Sequence, residues 1–239
     1  MIDKGLLIAA AAEMGVTVDE VAAERLDIYA RLLVEWNERM NLTAITDPTG
    51  IVIKHFADSL SSAPLLPQEP FSLIDVGTGA GFPGVPLAIL RGDMRLTLLD
   101  SLNKRLLFLE ELCRAVGVEA TRIHARAEEG GRDAALRERF DVATARAVAA
   151  LPVLCELCLP FVRVGGRFIA MKGPDGDREA DAAAGALRTL GGRVVERRHV
   201  SLAAPDADEA GERCLLVIEK ANSTPKRYPR PNAKKAAPL

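Results

Sequence analysis

A glycine-rich loop that joins an apolar run to a helical segment constrains the fold of this chain more than any other feature. Residues 71–76 form a short apolar run typical of a buried strand, and residues 83–90 are typical of a helix. The loop between them, at 77–82, reads G-T-G-A-G-F. Glycines at this density permit a tight turn and let a ligand touch the backbone. The pattern therefore predicts a strand, a turn and a helix that together bind a nucleotide cofactor.

Short apolar runs alternate with helical segments over the rest of the chain. Strands separated by helices form βαβ units, in which a parallel sheet is covered by helices on both faces. The last two predicted strands are joined only by the loop 203–211, which indicates an antiparallel hairpin at one edge. We therefore expect an α/β, Rossmann-like fold with a seven-stranded, mostly parallel sheet. The predicted strands are 71–76, 95–100, 119–124, 140–145, 166–171, 193–200 and 213–219, and the predicted helices are 83–90, 103–116, 148–160 and 177–190.

The N-terminal region has a purely helical pattern. Thr17 and Glu20 have the spacing of a capping box, and apolar residues then recur at steps of three and four as far as Met40. Asp47 followed by Pro48 predicts the start of a second helix, which runs to about residue 62. We expect three parts, namely a helical extension at 1–65, the α/β domain at 66–220 and a basic, flexible tail at 221–239.

The basic residues are unevenly distributed along the chain. The net charge is −2, yet residues 226–239 contain five basic residues and no acidic residue, so this segment carries +5 and the remainder −7. A basic segment on an acidic body is typical of local contact with a phosphate backbone, and equally of a solvated, disordered end. Charge alone does not decide between these two interpretations.

Cysteine usage indicates a reducing environment. Cys155 and Cys158 form a C-x-x-C pair in an apolar segment, without a second pair to complete a zinc site. Free cysteine is among the residues most often buried, so we expect all four cysteines in the core and no metal.

The hydropathy of the chain indicates a protein without membrane contact. No stretch has the apolar length of a transmembrane helix. Asp3 and Glu13 occupy the start of the chain, where a signal peptide would be basic and then apolar. We expect a cytoplasmic monomer.

Acidic residues near the ends of the first strands indicate which cofactor the loop binds. Asp100 ends the second strand, where a carboxylate can accept hydrogen bonds from ribose hydroxyls, and Glu128 follows the third strand near the expected adenine. Asp75 precedes the loop and suits the cationic end of S-adenosylmethionine, whereas it would repel a pyrophosphate. Pro83 and Pro86 remove two N–H donors that a pyrophosphate needs.

Two other interpretations of the loop remain open. Residues 79–84 satisfy the dinucleotide pattern G-x-G-x-x-G, so NAD is an alternative cofactor, and a glycine turn that binds nothing is a third possibility. Asp75 and the two prolines favour S-adenosylmethionine. From the loop and the strand ends, we expect cofactor contacts from Asp75, Gly77, Gly79, Gly81, Asp100 and Glu128.

Six sequence motifs are informative in combination. They are D-V-G-T-G-A-G-F-P-G-V-P at 75–86, L-D-S at 99–101 with K-R at 104–105, N-L-T at 41–43, H-F-A-D-S-L at 55–60, A-R-A at 145–147 and K-G at 172–173. Together they resemble the RsmG family, also called GidB, whose members use S-adenosylmethionine to methylate N7 of a guanine in bacterial 16S ribosomal RNA. The resemblance covers about residues 20–220. It implies a class I methyltransferase fold, with 16S ribosomal RNA or the small ribosomal subunit as the partner.

The resemblance also implies which residues contact the methyl donor. They are Gly77, Phe82, Ala127, Glu128 and Arg146. Phe82 stands where leucine is also common in the family, and an apolar wall serves either way. The P-K-R-Y-P-R sequence at 225–230 is similar to the end of many family members.

Four residues are candidates for positioning the acceptor. Arg146 follows the fourth predicted strand, where it can hold the donor's carboxylate, stack on a guanine or bind a phosphate. Lys172 follows the fifth strand, in line to meet RNA. His55 and Asp58, together with Ser59, share one face of the second N-terminal helix, where they contact substrate or form a histidine–aspartate hydrogen bond.

Methyl transfer to guanine N7 needs no general base, because this nitrogen offers a lone pair and carries no proton. The chain contains only three histidines, which fits a reaction without acid–base catalysis. Two other classes of function stay open. The first is an NAD-dependent oxidoreductase, although the sequence contains no recognisable Tyr-x-x-x-Lys pattern. The second is an RNA-binding assembly factor, which would use the basic tail and have no catalytic activity.

Overall fold

Seven strands form one sheet in the computed structural model, which describes residues 1–202, 211–235 and 239. The strand order is β3-β2-β1-β4-β5-β7-β6, in which β7 is antiparallel to both of its neighbours and the other pairs are parallel. The predicted Rossmann-like sheet with an antiparallel edge hairpin is therefore confirmed, while residues 203–210 of the predicted hairpin loop lie outside the described residues. The strands are β1 (Ser72–Val76), β2 (Arg95–Asp100), β3 (Ala120–His124), β4 (Phe140–Arg146), β5 (Val162–Lys172), β6 (Gly192–Leu202) and β7 (Gly211–Lys220).

Helices cover both faces of the sheet. The segment predicted as one helix at 177–190 is divided into two at Ala183, where ψ is −3° instead of a helical value. The helix predicted at 148–160 is shorter and continues as a 3-10 turn at Leu159–Phe161. The helices are α1 (Lys4–Glu13), α2 (Glu20–Met40), α3 (Pro48–Gly50), a π-helix (Ile51–Ala57), α4 (Asp58–Leu60), α5 (Gly84–Leu90), α6 (Asn103–Ala115), α7 (Ala127–Gly130), α8 (Leu151–Cys158), α9 (Gly176–Ala182) and α10 (Ala184–Leu190).

Aspartate side chains cap the first three helices. Asp3 accepts a hydrogen bond from the first turn of α1, a helix that the apolar spacing did not predict because residues 9–12 are all alanine. Asp19 caps α2 in the same way, so the predicted capping box of Thr17 and Glu20 is wrong. Asp47 caps α3 with a proline at the first helical position, as predicted.

The two faces of the sheet carry separate apolar cores. The first core joins the N-terminal helices to the sheet, since Leu7, Tyr29 and Phe56 belong to the same buried cluster as Leu73 of β1. The second core lies under α8 and α10 on the opposite face. The helical extension thus shares its core with the sheet, and this packing fixes the π-helix beside the ends of β1 and β4.

Residues 221–235 pack against the second face, unlike the flexible tail that we expected. The Arg230 guanidinium pairs at 2.6 Å with the fully buried carboxylate of Glu156. Arg137 donates a hydrogen bond of 2.8 Å to the carbonyl of Tyr228, whose side chain is buried. Because a buried carboxylate needs a partner, the ion pair between Arg230 and Glu156 stabilises the fold.

The environment expected for the cysteines agrees with the structure. All four are buried, and none of them belongs to a disulfide. Within the described part of the chain, no helix combines the length and the apolar character that crossing a membrane requires.

Candidate functional site

A cleft of about 570 Å³ opens where β1, β2 and β4 end. The carboxyl ends of parallel strands meet at one edge of a sheet, so the loops that follow them converge there. Most of the predicted cofactor residues line this cleft, and two of them lie beneath it. The lining residues from the predictions are His55, Gly77, Gly79, Phe82, Asp100, Ala127, Glu128 and Arg146.

The glycine loop is held open by backbone hydrogen bonds. Gly77 and Gly79 have φ of 72° and 60°, in the left-handed region that favours glycine. The N–H of Gly77 donates to the carbonyl of Leu99 at 2.8 Å, and the N–H of Gly79 donates to Asp100 Oδ2 at 2.9 Å. These bonds fix the loop against the end of β2 and leave its backbone facing the cleft.

Gly81 has a packing role instead of the predicted contact with the cofactor. Its φ is 99°, and it is absent from the cleft lining. A Cβ at this position would lie 2.7 Å from the Tyr29 hydroxyl and 2.9 Å from Leu109 Cδ2. Glycine is therefore required so that the loop can approach α2 and α6.

Asp100 both organises the loop and faces the cleft. Its Oδ1 accepts a hydrogen bond of 2.9 Å from the N–H of Leu102, and its Oδ2 accepts from Gly79 and from Arg105. A carboxylate has about four acceptor positions, so at least one remains for a ligand hydroxyl. Asp100 therefore lines the cleft with acceptor capacity left, and its contact with a ribose stays a prediction.

Glu128 is the clearest sign that the cleft takes a ligand. Its side chain is 5% exposed, and its Oε1 makes no hydrogen bond within the described structure. The nearest cation is the Arg126 guanidinium, 3.6 Å from this oxygen. A buried carboxylate oxygen without a donor costs about 1–3 kcal/mol, which a ligand N–H or O–H would recover.

Asp75 lies below the loop, outside the cleft lining. Its Oδ2 accepts hydrogen bonds from Thr78 Oγ1 at 2.7 Å and from the N–H of Gly84 at 3.0 Å. Burial raises the pKa of this carboxyl group to about 6, against the lowering effect of these two bonds. Asp75 Oδ2 thus fastens the loop to α5, whereas its Oδ1 accepts no hydrogen bond within the described residues. The contact with the cationic end of the cofactor stays a prediction.

Phe82 is the centre of a stack that forms one wall of the cleft. Its ring lies 5.0 Å from the Tyr29 ring and 4.6 Å from the His55 ring, both nearly parallel to it. The Arg146 guanidinium lies 4.8 Å from the same ring. Stacking of this kind holds rings and cation in fixed relative positions.

A second cleft of about 410 Å³ adjoins the first and shares His55, Arg146 and Ala147 with it. Ala147 has φ of 55°, a left-handed conformation that is rare for alanine. It follows β4, so the strained residue lies where the two clefts meet. No sequence pattern predicted this strain.

His55 is held as a neutral ring between the two clefts. Its Nε2 lies 2.8 Å from Thr43 Oγ1, and its Nδ1 lies 3.4 Å from the Arg146 guanidinium. Burial, followed by the charge of Arg146, lowers the pKa of His55 to about 4. The ring is therefore uncharged at neutral pH and is engaged in positioning.

Asp58 joins two arginines from distant parts of the chain. Its Oδ2 accepts a hydrogen bond of 2.9 Å from Arg146, and its Oδ1 accepts one of 2.9 Å from Arg213 Nε. The histidine–aspartate bond considered from the sequence is replaced by a shared contact with Arg146. Sequence reasoning missed Arg213, which is 155 residues from Asp58 and lies in a hairpin strand without a motif of its own.

Lys172, the last residue of β5, lines the second cleft. Its Nζ pairs with Glu179 at 2.8 Å and donates to the carbonyl of Ala149 at 3.0 Å. Four cations and two carboxylates line this cleft, so its charge favours an anionic partner. The cations are Lys54, Arg146, Lys172 and Arg213, and the carboxylates are Asp58 and Glu179.

Two solved methyltransferases have a similar architecture. The precorrin-6y C5,15-methyltransferase of Geobacter metallireducens superposes with a TM-score of 0.53 at 16% identity, over 69% of this chain and 86% of that one. A SAM-dependent O-methyltransferase of Thermotoga maritima gives 0.52 at 17% identity, over 81% and 73%. The chain therefore has the Rossmann-like fold of the class I methyltransferases.

The sequence comparisons narrow this class to one family. Residues 22–204 match the GidB family model, described as rRNA small subunit methyltransferase G. The chain belongs to this family. It is 50% identical to the ribosomal RNA small subunit methyltransferase G of Symbiobacterium thermophilum, over 95% of this chain and 94% of that protein. Identity to the protein of the same name from Clostridium beijerinckii is 46%, over 94% and 93%.

Proposed function

We propose that this protein transfers a methyl group from S-adenosylmethionine to N7 of a guanine in 16S ribosomal RNA, in the cytoplasm. The observation that carries the proposal is the pair of joined clefts. One contains a buried carboxylate oxygen without a donor, and the other is lined by four cations. Family membership supports ribosomal RNA as the acceptor.

The residues of the larger cleft fit the methyl donor. Asp100 retains acceptor capacity for ribose hydroxyls, and Glu128 Oε1, which accepts no hydrogen bond within the described residues, is available to an N–H or O–H of the nucleoside. Gly77 and Gly79 leave backbone accessible, and Phe82 supplies an apolar wall. Asp75 is fully buried under the loop, and its carboxyl group lies outside the cleft lining.

When bound, S-adenosylmethionine supplies a methyl group on a sulfonium, which an in-line attack by guanine N7 can remove. The protein's task is then to align the two reactants and exclude water. His55 is neutral and hydrogen-bonded, so it positions Arg146 and the Phe82 ring and carries no proton for the reaction. A general base is unnecessary, since N7 bears no proton.

The smaller cleft suits the acceptor. Arg146 touches both clefts, and Asp58 fixes it together with Arg213 so that two guanidinium groups face the same space. Guanidinium groups bind phosphates in a bidentate manner and stack on bases. We infer that Arg146 orients the guanine and that Lys172 and Arg213 meet flanking phosphates.

The test is methyl transfer to small ribosomal subunits from cells that lack this protein, followed by mapping of N7-methylguanine. Arg146→Ala should lower transfer at least about a hundredfold, because misplacement of a reactant by about 1 Å costs that much. Arg193→Ala is the matched control, since Arg193 pairs with Glu219 on an exposed strand away from both clefts. Binding of the RNA should survive both substitutions.

Two results would contradict the proposal. Unchanged methylation by Arg146→Ala would remove the role assigned to this residue, and the absence of any new N7-methylguanine would exclude the reaction. Calorimetry with S-adenosylmethionine and NAD distinguishes the cofactors, because tight binding of NAD alone would indicate an oxidoreductase. RNA binding without transfer by the wild-type protein would indicate an assembly factor.

A further inference from the structure

Three potential metal ligands of different chemistry meet behind the smaller cleft. Asp177 of α9, His199 of β6 and Cys214 of β7 each place one ligand atom within 4.8 Å of the other two. The His199 Nε2 lies 3.1 Å from Asp177 Oδ2. The three residues are far apart in sequence, and the register that places His199 opposite Cys214 brings them together.

Cys214 is the unusual member of this group. Its side chain is fully buried, and it does not belong to a disulfide. A Cβ on Gly176 would lie 2.7 Å from the Sγ, so glycine is needed where α9 passes the sulfur. The thiol is therefore enclosed, and its sulfur lies within 4.8 Å of one ligand atom of Asp177 and one of His199.

The charges near the cluster leave one carboxylate oxygen available. Arg197 pairs with Asp177 Oδ1 at 3.3 Å and with Asp181 at 2.6 Å. The other oxygen, Oδ2, faces His199. With a thiolate at Cys214, the local charge of Asp177, Cys214 and Arg197 would be negative, which a divalent cation would balance.

We propose that Asp177, His199 and Cys214 bind one Zn²⁺ ion, with water at the fourth position. A donor set of one sulfur, one imidazole nitrogen and one carboxylate oxygen is typical of zinc, whereas Mg²⁺ and Ca²⁺ prefer oxygen alone. On binding, the Cys214 thiol releases its proton to solvent as the zinc–sulfur bond forms. No metal site was predicted from the sequence, because the prediction rested only on the C-x-x-C pair at Cys155 and Cys158.

The bound ion would staple α9 to the β6–β7 hairpin. Glu179 lies on the same helix as Asp177, and it pairs with Lys172 and accepts a hydrogen bond of 2.7 Å from the N–H of Leu151. The proposed site therefore supports the wall of the smaller cleft from behind. It does not depend on the proposed methyl transfer, because its ligands lie outside both cleft linings.

The test is titration of the chelator-treated full chain with Co²⁺, under reducing conditions, followed by optical absorption. A cobalt–thiolate charge-transfer band that saturates at one ion per chain and disappears on addition of Zn²⁺ is expected. Cys214→Ser should abolish the band, and His199→Ala should weaken Co²⁺ binding by at least about tenfold. His199 is more than half exposed, so this variant leaves the core intact. Cys113→Ser, which removes a different buried thiol, should retain the band.

Either of two results would overturn the proposal. The first is the absence of a cobalt–thiolate band in the wild-type protein. The second is a band that persists in Cys214→Ser, which would show that another cysteine binds the ion. A thermal-unfolding measurement provides a second readout. Zn²⁺ should raise the melting temperature of the wild type and of Cys113→Ser by more than that of His199→Ala, and an equal shift in all three proteins would also refute the site.

Discussion

Gly81→Ala is expected to lower the free energy of unfolding by about 2–5 kcal/mol. At a φ of 99°, an L residue is strained by about 1–2 kcal/mol. The added Cβ would also lie 2.7 Å from the Tyr29 hydroxyl and 2.9 Å from Leu109 Cδ2, and overpacking of this kind costs about 1–3 kcal/mol. Both neighbours are fully buried and cannot move aside. The loss is large against a total stability of about 5–15 kcal/mol.

Gly79→Ala is the matched control in the same loop. Gly79 has φ of 60°, and the atom nearest to an added Cβ is a backbone oxygen at 4.0 Å. This substitution should therefore cost only the conformational strain of about 1–2 kcal/mol. Because Gly79 lines the donor cleft, its substitution should weaken binding of S-adenosylmethionine by more than the loss of stability explains.

Urea unfolding, followed by circular dichroism, measures the loss of stability in both variants. Calorimetry with S-adenosylmethionine measures the weaker cofactor binding of Gly79→Ala. A Tyr29→Phe background removes the nearest contact, so Gly81→Ala should cost less there than in the wild type. Equal unfolding free energies for Gly81→Ala and Gly79→Ala would refute the packing role of Gly81. An undiminished cost in the Tyr29→Phe background would exclude Tyr29 as the cause.

Two further predictions concern buried charge. The pKa of His55 is about 4 in the folded protein against 6.5 ordinarily, so the unfolded chain binds the proton first and stability falls as pH decreases from 6.5 to 4. Asp75, with its pKa raised to about 6, has the opposite effect on the pH dependence of stability. The unfolding free energies of the wild type and of His55→Gln, measured in urea at several pH values, are therefore compared. A difference between them that is independent of pH would contradict the assignment to His55. Arg230→Ala should cost about 3–5 kcal/mol in thermal unfolding, because Glu156 stays buried without its cation, whereas Lys226→Ala, on the exposed tail surface, should cost under about 0.5 kcal/mol. Similar melting temperatures for these two variants would indicate that the tail does not stabilise the fold.

The backbone of the α/β region could be predicted because its signals are local. Residues 95–100 were predicted as a strand and form β2 with the same bounds, since a short apolar run between turn residues has few alternatives. The helix α1 was missed because consecutive alanines carry no periodicity, although Asp3 supplied a capping signal. The division at Ala183 has no sequence signal that we can identify.

The donor side of the site was predicted better than the acceptor side. Gly77, Asp100 and Glu128 follow strand ends in the sequence, so a parallel topology places them together. Asp75 also lies near the end of a strand, but its side chain is fully buried beneath the loop. Local spacing in the sequence predicts which residues lie at the end of a strand. Whether such a side chain is buried depends on the elements that pack against the strand.

The sequence by itself determined the glycine loop, the alternation of strands and helices, and the motifs of a methyltransferase family, because each depends on residues close together in the chain. Only the tertiary structure decided which charges meet. The contact of Asp58 with Arg213 and the cluster of Asp177, His199 and Cys214 depend on the strand order and on the register of β6 and β7. The packing of Arg230 on Glu156 likewise turned an apparently flexible end into part of the fold. Pairings of this range follow from the packing of whole elements, which periodicity in a sequence does not encode.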